Sequence, residues 1–222
     1  MPSPYYYASR CDLSIEEQED HKKCVKNHAK LYFNYATMNS GKSLQLMSIA
    51  HNMDERHIPT FTIKPSIDTR DGENKIYSRI GISRDCIMFS PEDDLFDLIS
   101  EENAGRISCN SYLEWIFVDE AQFLTEEQVD QLSDVVDHLG INVMCYGLRT
   151  DFKSRLFPGS KRLFELADTI EEIKSTCECG SKTIINARVD KDGNVLKNGP
   201  QTLIGGNDRY ISICRKCWKR SI

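Results

Sequence analysis

Short apolar runs alternate with amphipathic stretches from Lys30 onward, and this alternation sets the expected architecture. Leu31-Tyr32-Phe33-Asn34-Tyr35 is an aromatic and apolar run that predicts a buried strand, and Ser43–Arg56 then carries Leu44, Met47 and Ala50 at helical spacing. Thr60-Phe61-Thr62-Ile63 reads as a second strand ended by Pro65, and Ile87-Met88-Phe89 as a third. Ser90-Pro91-Glu92 is expected to open a helix running through Leu95 and Leu98-Ile99, with proline near its start. Trp115-Ile116-Phe117-Val118 is an uninterrupted apolar strand that ends in two acids. In the next helix Thr125 is the expected cap, Glu127-Gln128 fall in the first turn, and Val129, Leu132, Val135-Val136 and Leu139 form the buried stripe before Gly140. Asn142–Tyr146 predicts another strand and Leu163–Ala167 a further helical segment.

Short strands alternating with helices imply βαβ units, a parallel sheet and the α/β fold class. Such sheets bind ligands at the carboxyl ends of their strands. The alternation is expected to stop near Ile170, which divides the chain into residues 30–170 and a small β-rich appendage, 171–222, with a hairpin signal at Asp192-Gly193-Asn194. Residues 1–29 carry charges of both signs and few large aliphatics, so a mobile arm or a short surface helix is expected there.

Composition narrows the function classes. The 222 residues are 40% hydrophobic and 28% charged, as in an ordinary globular chain with a sizeable core. A net charge of −6 argues against a nucleic-acid partner, which would call for a basic face. No apolar run approaches the ~20 residues that span a bilayer, and the N-terminus lacks a signal-like apolar stretch, so the expected location is the cytoplasm. Of the nine cysteines, Cys11, Cys24, Cys86, Cys109 and Cys145 are scattered, which suits a reducing compartment better than a disulfide framework.

Four segments carry chemistry. Ala36-Thr37-Met38-Asn39-Ser40-Gly41-Lys42-Ser43 lies between a strand and a helix. A phosphate chain needs converging backbone N–H donors, a helix N-terminus aimed at it, a reaching cation and a hydroxyl for Mg²⁺, and Gly41, Lys42 and Ser43 stand at the right spacing to supply them. Ala36 occupies the position where the pattern has glycine, and its Cβ penalises positive φ. In Val118-Asp119-Glu120-Ala121-Gln122-Phe123, an aspartate closing an apolar strand suits Mg²⁺, and the neighbouring glutamate can take a proton from an attacking nucleophile. Cys177-x-Cys179 and Cys214-x-x-Cys217 match the two halves of a structural tetrahedral zinc site, with four metal-free thiols as the alternative. Arg70, in Lys64–Arg70, has a guanidinium able to clamp a moving phosphate.

Taken in order, these features resemble the type II thymidine kinases. The likeness runs from about Leu31 to Lys219 and includes the phosphate loop, Ile67-Asp68-Thr69-Arg70, Asp119–Phe123, Tyr146–Phe152 and Leu203–Tyr210. It implies a RecA-like P-loop kinase domain with a C-terminal zinc-binding lasso domain. ATP would lie on Ala36, Thr37, Met38, Asn39, Ser40, Gly41, Lys42 and Ser43, with Asp68, Arg70, Asp119 and Gln122 completing the ATP and Mg²⁺ site. The resemblance further implies Glu120 as general base on the 5′-hydroxyl of thymidine. Phe123, Leu148, Phe152, Phe157 and Tyr210 would enclose the nucleoside, and Gln201, Thr202, Leu203, Ile204 and Gly205 would offer backbone bonds to the base edge. Cys177, Cys179, Cys214 and Cys217 would hold zinc, although Thr176 stands where many members have cysteine. A homotetramer and feedback by dTTP are implied as well. Two other readings compete: a P-loop ATPase coupled to nucleic acid through a zinc module, and a structural zinc protein with an inactive loop.

Overall fold

A computed structural model of the chain describes residues 29–67, 74–107, 111–201 and 209–221. Its centre is a sheet of six strands: β1 (Leu31–Ala36), β2 (Thr60–Pro65), β5 (Ile87–Phe89), β6 (Trp115–Val118), β7 (Asn142–Leu148) and β8 (Thr169–Ile173). Their spatial order is β5-β2-β6-β7-β1-β8, and every pairing is parallel. A short antiparallel pair, β3 (Lys75–Tyr77) with β4 (Ser83–Asp85), lies between β2 and β5 in sequence.

Strand side chains alternate between faces, so each central strand feeds two cores. Ile116 and Val118 of β6, with Val143 and Cys145 of β7, join Leu31 and Phe33 on one side. There they meet Leu95 and Ile99 of α2 (Leu95–Ile107), Val129 and Leu132 of α3 (Glu126–Asp134), and Leu163 of α4 (Pro158–Leu166). Phe117 and Tyr146 point the other way, onto Leu46, Met47 and Ala50 of α1 (Lys42–Asp54). Truncating a fully buried ring such as Phe117 to alanine costs about 3–5 kcal/mol by lost transfer energy and cavity formation.

Sequence and structure part company at two boundaries. Pro91 does not open a helix. Residues Ser90–Asp93 form a turn, closed by Asp93 N–H to Ser90 O (3.2 Å), and α2 begins after Asp94, whose Oδ1 accepts from Asp97 N–H at 3.0 Å. Pro65 ends β2 as expected, as its last paired residue, opposite Phe89. The sheet also continues past Ile170: β8 pairs with β1 as far as Ile173, opposite Ala36.

The Thr125 cap is present as a full capping box, with Gln128 N–H to Thr125 Oγ1 at 3.0 Å and Thr125 N–H to Gln128 Oε1 at 3.2 Å. A π-helical turn, Val135–Leu139, prolongs α3 before Gly140 turns it off in the left-handed conformation (φ 68°). After β8, β9 (Ile185–Arg188) and β10 (Tyr210–Ile213) pair antiparallel, and α5 (Arg215–Arg220) follows, capped by Cys214. Asp190 Oδ1 closes the expected hairpin turn by accepting from Asp192 N–H and Asn194 N–H. Among the described residues no helix is long and apolar enough to cross a membrane.

Candidate active site

Sheet order brings the two charged segments together. β1 and β6 both border β7, so the loop after β1 and the acids after β6 emerge on either side of the end of one strand. Ala36 ends β1, paired with Leu148 and Ile173, and has no positive φ. The loop instead turns at Asn39 (φ 63°) and Gly41 (φ 81°), so the missing first glycine is not needed for the turn. Lys42 and Ser43 open α1. The Lys42 ammonium is buried and donates to Thr37 O at 3.0 Å, folding back across the loop, and Ser40 Oγ donates to the same carbonyl at 2.7 Å.

Ser43 Oγ donates to Asp119 Oδ2 at 2.8 Å, linking the phosphate loop to the acid pair. Asp119 is fixed further by its backbone, whose N–H donates to Ile63 O of β2 at 3.1 Å. Burial, and then the neighbouring Glu120 charge, push the Asp119 carboxyl up to about 7, against the hydrogen bond from Ser43. Two hard oxygen donors side by side, one on a buried carboxylate, suit Mg²⁺.

Glu120 adopts the left-handed conformation (φ 50°, ψ 38°), which is costly for a residue with a Cβ and is typical of functional sites. Its carboxylate accepts from Gln122 Nε2, and Gln122 Oε1 accepts from Leu148 N–H at 2.9 Å. Gln122 is thus a buried brace between Glu120 and the end of β7. The brace depends on Gly147, because a Cβ there would lie 3.0 Å from Gln122 N and 3.1 Å from Gln122 Oε1.

The apolar residues expected around a nucleoside fall into two groups. Phe152 and Tyr210 pack with Met38, and Leu148 lies against them. Phe123 and Phe157 form a separate edge-to-face pair at 5.9 Å. Met38 therefore belongs to the aromatic group by its side chain, although its position in the loop suggests a role with ATP alone. Gln201 Nε2 donates to Asp151 Oδ2 at 3.1 Å. Asp68, Arg70, Thr202, Leu203, Ile204 and Gly205 lie outside the described residues.

Sequence reasoning missed Arg188. Its guanidinium is buried, sits 3.9 Å from the Phe152 ring centroid and 5.3 Å from that of Tyr210, and donates to the Tyr210 hydroxyl and to Pro200 O and Gln201 O. A lone arginine in a short strand gives no signal in sequence, because its partners come from three other segments.

The four paired cysteines converge, with their sulfurs all within 4.8 Å of one another. Cys179 and Cys214 sulfurs are 3.5 Å apart, close to the ~3.8 Å edge of a zinc–thiolate tetrahedron with ~2.3 Å bonds. Cys217 N–H points at Cys214 Sγ (3.4 Å), and Gly180, at φ 82°, completes the turn after Cys179. Hydrogen bonds from Ser181 hold the Cys179 thiol down to about 6, while neighbouring Cys179 and Cys214 push Cys217 up to about 12. Four converging thiols, one of them readily ionised, fit a structural metal such as zinc, and the one-residue shift to Cys177 does not prevent convergence.

A parallel sheet whose first strand runs through a Gly-Lys-Ser loop into a helix, with an acid pair closing a strand two places away, defines the class as a P-loop nucleotide-binding protein. The sequence profile described as thymidine kinase matches residues 29–218. A thymidine kinase of Haemophilus influenzae is 50% identical over 192 residues, covering 86% of this chain and 96% of its own. That of Ruegeria pomeroyi is 47% identical over 194 residues (87% and 95%), and that of Rhodopirellula baltica 48% over 194 residues (87% and 90%). Among solved structures, the Pif1 helicase of Candida albicans aligns at 17% identity with a TM-score of 0.41, over 73% of this chain and 39% of its own, too distant to bear on activity. The chain belongs to the thymidine kinase family.

Proposed function

We propose that the chain transfers the γ-phosphate of ATP to the 5′-hydroxyl of thymidine, giving dTMP for nucleotide salvage. The observation that carries this reading is the meeting of the Ser43–Asp119 hydrogen bond with the braced carboxylate of Glu120, which puts a phosphate loop and a candidate base at the end of one strand. Membership of the family supports thymidine as acceptor.

In this reading the loop amides and Lys42 hold the outer phosphates, releasing Lys42 from Thr37 O. Ser43 and Asp119 are the residues that would hold Mg²⁺, which when bound neutralises charge on the phosphates. Glu120 takes the hydroxyl proton as the nucleophile attacks, with Gln122 orienting the carboxylate. Met38, Leu148, Phe152 and Tyr210 enclose the nucleoside, and closing that apolar surface over it excludes water that would otherwise hydrolyse ATP. Phe123, Phe157 and Gln201 complete the enclosure, and Asp68, Arg70 and Thr202–Gly205 retain the roles implied by the family resemblance. The four cysteines clip the C-terminal segment with zinc. A 1–29 extension, a kinase domain over residues 30–170, a lasso domain over residues 171–222, a homotetramer and a cytoplasmic location belong to the same proposal.

Radiolabelled phosphate transfer tested against a panel of nucleosides is the direct assay. Thymidine should be phosphorylated, and E120Q should abolish transfer while MgATP binding persists. Near-normal turnover in E120Q would remove Glu120 as the base.

A further inference from the structure

Side chains of the β9–β10 pair also hold the phosphate loop in shape. Met38 N–H donates to Asn186 Oδ1 at 2.7 Å, and Met38 O accepts from Ser212 Oγ at 2.7 Å. Asn186 and Ser212 are directly opposite each other in the β9–β10 pair, so one cross-strand pair grips both backbone polar groups of a single loop residue. Asn186 is buried, and its Nδ2 donates to Thr150 O at 3.2 Å, which ties the grip to the segment after β7. One residue earlier, Thr37 Oγ1 is bonded to Ser175 Oγ and Thr183 Oγ1, each at 2.9 Å. β10 runs directly into Cys214, so the strap is anchored beside the four-thiol cluster.

We propose that Asn186 and Ser212 are positioning residues that strap the phosphate loop into its phosphate-binding shape, so that nucleotide affinity is set partly by the C-terminal β9–β10 pair. This rests on the reading of Ala36–Ser43 as the phosphate loop. The physical reason is preorganisation. Left-handed backbone at Asn39 and Gly41 follows directly after the gripped residue, and such backbone persists only where its surroundings over-determine it. With Met38 released, the loop amides no longer converge before the nucleotide arrives, and ordering them is charged against binding. Because the grip falls on the backbone of the loop, its loss acts on the nucleotide before the acceptor.

Calorimetric titration of MgADP into the full chain tests this without turnover, with zinc content measured on each variant. N186A should weaken MgADP about tenfold, the effect of losing one buried hydrogen-bond acceptor. S212A should weaken it several-fold and S212T, which keeps the hydroxyl, should stay within about twofold of wild type. The KM for ATP should rise in N186A by clearly more than the KM for thymidine, whose enclosure shares Met38. If N186A fails to fold, the S212A and S212T pair decides. Wild-type MgADP affinity in both N186A and S212A overturns the proposal, as does an equal rise in both KM values. K42A separates the two layers: loss of MgADP binding in K42A with none in N186A or S212A overturns only the strap. Unchanged binding in K42A overturns the phosphate-loop reading itself, and the strap with it.

Discussion

Replacing Glu120 by glycine and by alanine separates what its backbone costs from what its carboxylate does. Both substitutions remove the carboxylate, its bond from Gln122 and its repulsion of buried Asp119, so these effects cancel between the two variants. What remains is the backbone at φ 50°. Left-handed backbone costs a residue with a Cβ about 1–2 kcal/mol, and glycine escapes that cost but loses more conformational freedom on folding, about 0.5–1 kcal/mol. E120G should therefore be more stable than E120A by about 0.5–1 kcal/mol. In a chain of this size that corresponds to a rise in Tm of about 1–4 °C. Calorimetric melts of the two variants in ligand-free buffer supply the comparison, and thymidine phosphorylation is assayed on the same samples. Both should lose turnover by about 10²–10⁴-fold, the usual contribution of a positioned base. A melting temperature for E120G at or below that of E120A would refute the claim that the site stores strain at Glu120.

Three further outcomes follow from the site. Asp119 holds its proton up to about 7 in the folded chain against an ordinary 3.8, so folding binds a proton in that interval and stability falls as pH rises from about 4 to about 7. In magnesium-free buffer the urea midpoint of D119N should lack this decline, and a decline unchanged in D119N would show that another group causes it. G147A should lose about 1–3 kcal/mol in urea melts because its Cβ meets Gln122 backbone, and should lower kcat through the displaced brace; an unchanged midpoint would show that the approach is not tight. Elemental analysis should find about one zinc per chain, falling sharply in C214S, and markedly less than one in the wild-type chain would argue against four-thiolate ligation.

Much of this arrangement is legible in the sequence where the signal is local. The apolar run Trp115–Val118, the capping box at Thr125 and the paired cysteines each carry their own physical signature. β8 does not: it sits at one edge of the sheet, only one neighbour covers it, and Glu171 and Glu172 interrupt its apolar pattern. β3 and β4 are three residues each and mostly polar, too short for any periodicity. Pro91 misled because proline suits both a helix start and a turn, and the side chains of Asp93 and Asp94 decide between them. Within the site, the Ser43–Asp119 meeting is implied by motif order, whereas the Asn186 grip on Met38 spans 148 residues and leaves no local trace.

Ala36 has a consequence for the unfolded chain. Sitting in a regular strand, it occupies backbone that alanine adopts without strain. At such a position alanine in place of glycine removes disorder from the denatured ensemble, worth about 0.4–1 kcal/mol to the native state. The substitution that departs from the phosphate-loop pattern therefore leaves the loop's own turn untouched and stiffens the strand on which it is mounted.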